Sequence, residues 1–143
     1  MGAYKLIELL QIKEKGKIVL VKIGGFYTAR GKDAILLNEI VGLKVNCMET
    51  EVCKVGFPII ALNKYCKLIE EKKYSYIVFD YNNETNKLTK IREYNGKKKN
   101  LKTENKLNCY ICKNTVKIYK KPDKYVEAVA KLYEEEMKEK EEY

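Results

Sequence analysis

The sequence predicts an α/β (α+β) fold: a single domain with one mixed β-sheet flanked by three to four helices. Hydrophobic residues recur at helical spacing in some segments, as at Leu6, Leu9 and Leu10, and form short continuous runs in others, as at Ile18-Val19-Leu20-Val21. The segment 74–81 is too apolar for a sheet edge and is expected at the centre of the sheet. Helical and extended segments interleave without an internal repeat or a linker, so one core serves the chain, and 143 residues are enough to bury it.

Each element follows from local pattern. Residues 4–14 form a first helix that Gly16 stops, and 17–23 form the first strand. Gly24-Gly25 and the pair Phe26-Tyr27 read as a tight turn that leads directly to a helix over 32–41, with Ala34, Leu37 and Val41 facing the core and Gly42 closing it. Two short strands, 43–48 and 52–57, meet at the polar Glu49-Thr50-Glu51 turn. Leu62, Tyr65, Cys66 and Ile69 mark a helix over 61–73, followed by the apolar strand. Asn82-Asn83 makes a turn, and 87–94 alternates as a half-exposed strand. Asn95-Gly96 carries the strongest hairpin signal, since both residues tolerate the positive φ of a type I′ turn, with a return strand over 97–101. A strand or strand pair runs over 107–119 with a turn at Lys113-Asn114. Asp123 caps a last amphipathic helix bearing Val126, Val129, Ala130, Tyr133 and Met137, so that 1–122 form the domain and 123–143 a C-terminal helix.

The formal net charge of +9 is unevenly placed. Residues 124–143 hold four lysines and seven glutamates, a net of −3, whereas 87–121 hold twelve Lys or Arg against Glu93 and Glu104, a net of +10. Clustered positive charge is the electrostatic footprint of nucleic-acid contact. A codon-biased, merely solvated basic face is the alternative. The segment reads as strands and not as a basic amphipathic helix, which disfavours a membrane surface, and no apolar run approaches the length of a bilayer span. Five cysteines at irregular spacing fit thiols in a reducing compartment, and a soluble, cytoplasmic protein is expected.

Two motifs carry a resemblance. Gly24, Phe26, Tyr27, Asp33 and Ala34 form one block, and Gly56, Pro58, Ala61, Leu62 and Tyr65 form a second, Gly-x-Pro-x-x-Ala-Leu-x-x-Tyr. In this order and spacing they resemble the N-terminal mismatch-binding domain of the MutS family of DNA repair proteins, strongest over 4–94. The connector, lever, clamp and ATPase parts of MutS have no counterpart in these residues. The resemblance implies that Phe26 enters a minor groove and stacks on a mispaired base, an apolar wedge at a step that unstacks easily. The residue reading alone leaves two choices: an exposed wedge after two glycines, or a core residue at a strand end. In the wedge reading Tyr27 points inward. Thr28 stands where the family has Glu, Gly25 where it has Asp and Lys32 where it has an acid; each change removes negative charge and favours phosphate approach over base discrimination.

Eleven residues are candidate nucleic-acid contacts: Phe26, Tyr27, Thr28, Arg30, Lys32, Lys54, Lys90, Arg92, Lys97, Lys98 and Lys99. Arg30, Lys32 and Lys54 are expected to flank the wedge and hold phosphates. Lys90, Arg92 and Lys97 to Lys99, with Lys87, would line the hairpin as a basic ribbon, or else only solvate a sheet edge.

Cys109-Tyr-Ile-Cys112 has the spacing of half a zinc site, but positions three apart on a strand face opposite ways, and no histidine completes the set. No metal or cofactor is expected. Without a phosphate loop or nucleophile elbow, catalysis is not expected either, and Asp33 reads as a first-turn carboxylate favoured by the helix dipole. The resemblance extends to short MutS-like accessory factors of diversity-generating retroelements, so the partners implied are a nucleic acid (DNA, RNA or hybrid) and a polymerase such as a reverse transcriptase. The competing reading is a protein-interaction subunit that uses the C-terminal helix stripe, which otherwise packs on its own domain.

Overall fold

A computed structural model describes residues 3–47, 53–82, 84–100, 106–108 and 115–117. The order is α1 (Ala3–Lys13), β1 (Ile18–Ile23), β2 (Phe26–Arg30), α2 (Lys32–Val41), β3 (Asn46–Cys47), β4 (Cys53–Pro58), a 3-10 turn (Ile59–Ala61), α3 (Leu62–Glu71), β5 (Tyr76–Asn82), β6 (Lys87–Tyr94), β7 (Lys106–Asn108) and β8 (Thr115–Lys117). Six strands form one mixed sheet in the order β3-β4-β2-β1-β5-β6. β1 and β5 run parallel and every other neighbouring pair runs antiparallel. β7 and β8 pair separately, antiparallel, where the sequence predicts either one strand or a strand pair.

Period-two alternation sends successive side chains into two cores. On one face, Ile18, Leu20, Tyr27, Ala29, Val55, Phe57, Tyr76 and Val78 pack with Leu37 of α2 and Cys66 and Ile69 of α3. On the other, Val19, Val21, Ile77, Phe79 and Leu88 pack with Leu6, Ile7 and Leu10 of α1. Each fully buried side chain of this size contributes about 1.5–3 kcal/mol of transfer free energy, so the strands that feed both faces carry most of the core. β5 is interior, as expected, although it lies next to the edge strand β6 rather than at the centre.

Two expectations are corrected. Phe26 and Tyr27 do not lead straight into a helix; they open β2, and Gly24-Gly25 is the two-residue turn of a β1–β2 hairpin, with Ile23 opposite Phe26. The positive φ of 60° at Gly24 alone fits a turn of type II′, which asks for glycine at that position. Nor is there a hairpin at Asn95-Gly96. Gly96 does not adopt positive φ, and 95–100 instead form a strap across the lower end of β5. Lys98 N donates to Lys73 O (2.8 Å) and Lys98 O accepts from Ser75 N (2.9 Å); Asn100 N then donates to Gly16 O (2.8 Å). The glycine is needed for closeness: a Cβ on Gly96 would stand 2.2 Å from the Lys73 carbonyl oxygen. The strand expected over 43–48 is shorter: 43–45 lie outside any strand, β3 is Asn46–Cys47, and Met48 lies outside the described residues.

The strap ends on a buried carboxylate. Asp33, fully buried, is in the first turn of α2 as expected, but it is held by more than the dipole. Oδ2 accepts from Gln11 Nε2 (2.9 Å) and Val19 N (3.1 Å), and Oδ1 accepts from Asn100 Nδ2 (2.7 Å). Three elements and the strap therefore meet at one side chain. The C-terminal helix expected over 123–143, its stripe, the turn at Lys113-Asn114, and the Cys109 and Cys112 pair lie outside the described residues.

Candidate nucleic-acid interface

The hairpin register places Phe26 at one end of the sheet, between Ile23 and Pro58. Its side chain is 53% exposed, whereas Tyr27, one residue on, is buried against Phe57 with ring centroids 5.9 Å apart. Alternation along β2 produces this contrast, because Tyr27 and Ala29 turn to the main core and Phe26 and Thr28 to the other face. The Ile59 amide donates to Gly25 O (3.2 Å), which ties the hairpin tip to the 3-10 turn. Ile60, 95% exposed, thereby joins Phe26, Pro58 and Ile59 on one apolar rim. Added Cβ atoms at Gly24 and Gly25 would meet nothing within 4 Å, so the tip stands in open space.

Tyr27 and Thr28 do not present themselves to a ligand. Burial pushes the Tyr27 phenol above its ordinary pKa, with the Asp80 charge adding to the effect. Thr28 is only 7% exposed and lies across from Gly56.

The cations expected to flank the wedge lie at the opposite end of the sheet. Arg30 closes β2 and pairs across from Lys54, four residues and roughly 13 Å along the strand from Phe26. Arg30 Nη1 binds Glu8 Oε2 (3.1 Å), with side chains 14% and 9% exposed, so its charge is spent inside the fold. Lys32 Nζ donates to Asn100 O (2.8 Å) and anchors the strap. Lys54 is half-buried.

On the edge strand, Arg92 is held by Asn63 Oδ1 (2.9 Å) and Glu70 Oε2 (3.3 Å), with its guanidinium 6.0 Å from the Tyr76 ring centroid. Lys90 lies 3.9 Å from Glu93, which also binds Lys17; that bond to Lys17 holds the Glu93 carboxyl below its usual range. Lys97, Lys98 and Lys99 are exposed, on the strap rather than on a hairpin. Nearer the rim are two exposed cations: Lys87, which opens β6 and was expected on the basic ribbon, and Lys64, in the first turn of α3, which the sequence did not single out. Ile60 was also missed; the signal available was two isoleucines after Pro58 that fit neither helical nor strand periodicity.

Among the described residues no group of three or more His, Cys, Asp or Glu gathers as a metal site, and no helix is long and apolar enough to cross a membrane. Cys53 and Cys66 are buried in the main core.

Comparison with known proteins gives one family. A model described as MutS domain I matches residues 7–120, most of the chain. No curated protein matches the chain significantly.

Proposed function

The chain belongs to the MutS domain I family, and from that premise we propose that it is a non-catalytic nucleic-acid-binding module that applies the Phe26 rim to a duplex or hybrid at a weakened base step. The observation that carries this reading is the contrast between neighbours: of two consecutive aromatic residues, one is buried and the other stands exposed on a tip with open space around it. Stacking one base on such a ring is worth about 1–3 kcal/mol, and a mismatch or bulge lowers the cost of opening the stack. Ile60 and Pro58 would widen the apolar contact, and the exposed Lys64 and Lys87 are the cations we assign to phosphates on either side.

Base discrimination is weak on this reading. A position that carries Glu in the family holds a buried threonine here, so no charged acceptor reaches a base beside the ring. Binding then depends on how easily a step opens and not on which bases form it. Stacking and phosphate contact perform no chemistry, so the module works beside a nucleic-acid-processing partner, for which a polymerase such as a reverse transcriptase is our choice.

The test is a salt titration by fluorescence anisotropy on matched duplex, mismatched duplex, RNA–DNA hybrid and structured RNA, with wild type and Phe26→Ala. The reading expects a steep fall of log affinity with log salt and a preference for one ligand that Phe26→Ala removes. Absence of binding to all four at low salt would overturn it.

A further inference from the structure

Five lysines that are scattered in sequence meet at the end of the sheet opposite Phe26. Lys72 and Lys73 form the turn after α3, and Lys97, Lys98 and Lys99 lie on the strap. The backbone joins them: Lys98 N donates to Lys73 O (2.8 Å), and Ser75 N donates to Lys98 O (2.9 Å). Lys73 holds a left-handed conformation, φ 68°, at this contact. Gly96 lets the strap approach so closely, and its amide donates to Ser75 Oγ (2.9 Å). All five side chains are exposed, and among the described residues none has an acidic partner within ion-pair distance. Lys98 Nζ is placed 5.6 Å over the Tyr74 ring. Glu70 is already committed to Arg92, and the exposed Glu71, directly before Lys72, forms no ion pair with any of the five among the described residues, so one acid stands beside five cations.

From this arrangement we infer a second polyanion-binding surface, formed by Lys72, Lys73, Lys97, Lys98 and Lys99, that takes the phosphate backbone of a nucleic acid independently of the aromatic rim. Gathering five like charges on a fixed scaffold costs self-repulsion, which a polyanion relieves. Four strap hydrogen bonds hold the backbone in place, so the surface is formed before the ligand arrives. The register places it roughly 20 Å from Phe26 along β5, at about 3.3 Å per residue, so it meets nucleic acid well away from a base stacked on the ring. The surface therefore engages a second segment, through charge and without base contact. The identity of the partner rests on the nucleic-acid reading proposed above, but nothing in the surface depends on Phe26.

The test measures the salt dependence of duplex binding for wild type, K97Q/K98Q/K99Q, K72Q/K73N and Phe26→Ala, with thermal unfolding to confirm that each variant folds. Asn at position 73 tolerates the left-handed backbone. Each phosphate contact contributes about 0.9 to the slope of log affinity against log salt, so the triple variant should lower the slope by about two or more and the double variant by more than one. Phe26→Ala should leave the slope unchanged. A folded triple variant and a folded double variant that both keep the wild-type slope would overturn the second surface while leaving the rim intact. Loss of slope in the lysine variants, with Phe26→Ala keeping wild-type affinity as well as slope, would support the surface and sink the rim instead. If wild type binds neither duplex, hybrid nor structured RNA at low salt, both fall. A slope lost equally against heparin is expected of a phosphate-type surface; retention against heparin would contradict it.

Discussion

Asn100 reaches back across 67 residues to donate its Nδ2 to Asp33 Oδ1 at 2.7 Å, so the end of the strap and the first turn of α2 share one buried hydrogen bond. The same carboxylate accepts the Val19 amide of β1 and the Gln11 amide of α1. Replacing it with alanine leaves three donors without their acceptor, at about 1–3 kcal/mol for each that stays buried. Asp33→Ala should therefore lose about 3 kcal/mol or more in urea unfolding, and Asn100→Ala less, because it removes one partner and leaves two.

The titration of Asp33 gives that network a pH signature. Burial pushes the carboxyl above its ordinary value, and hydrogen bonds from Gln11, Val19 and Asn100 with the Lys32 charge only partly restore it. The unfolded group titrates near about 3.9, below the native group, so the native state holds the proton more tightly between the two values. The contribution of Asp33 is complete below the unfolded value and lost as pH rises through the native one. Asp33→Asn cannot titrate; the stability of wild type minus that of the variant should fall as pH rises above about 4. Urea unfolding at a series of pH values checks this, and a difference that grows with pH would contradict it.

Arg30 separates structural from binding charge. Its partner Glu8 is almost wholly buried, and removing one member of a buried pair costs about 3 kcal/mol or more. Arg30→Ala should lower stability by about this much in chemical unfolding. If it folds, its salt slope for nucleic acid should equal that of wild type; a reduced slope would return Arg30 to the interface.

Gly96→Ala tests the strap. The added Cβ would lie 2.2 Å from Lys73 O and 2.8 Å from Lys73 C, both backbone atoms that cannot swing aside. Overpacking of this kind costs about 1–3 kcal/mol. The melting temperature should fall, and a variant as stable as wild type would mean that the strap does not run so close to Lys73.

Much of the sheet was legible because it depends on local pattern. The continuous run of β1, the alternation of Cys53, Val55 and Phe57, and the apolar β5 each define a strand within a few residues. Of the two choices the residues left for Phe26, the structure has the exposed ring with Tyr27 turned inward, because a period of two sends neighbours to opposite faces. What was not legible depends on contacts distant in sequence. The hairpin signal of Asn95-Gly96 was misleading, since glycine there answers the approach of Lys73 and not a turn of its own. Arg30 and Lys32 follow Phe26 closely in sequence but lie at the far end of an extended strand, where Glu8 and Asn100 occupy them. Lys72 and Lys73 looked like the charged end of a helix until the strap brought three more lysines against them.

Stacking of Phe26 on a base can be read directly. A duplex with 2-aminopurine at an unpaired position reports stacking by fluorescence quenching, while anisotropy of the same complex reports binding. Phe26 is exposed, so Phe26→Ala should unfold within about 0.5 kcal/mol of wild type. Wild type should quench the probe, and Phe26→Ala should lose the quenching and about 1–3 kcal/mol of affinity while keeping its salt slope. Equal quenching and equal affinity in the two proteins would contradict the account, because the ring would then stand at the tip without touching the bases.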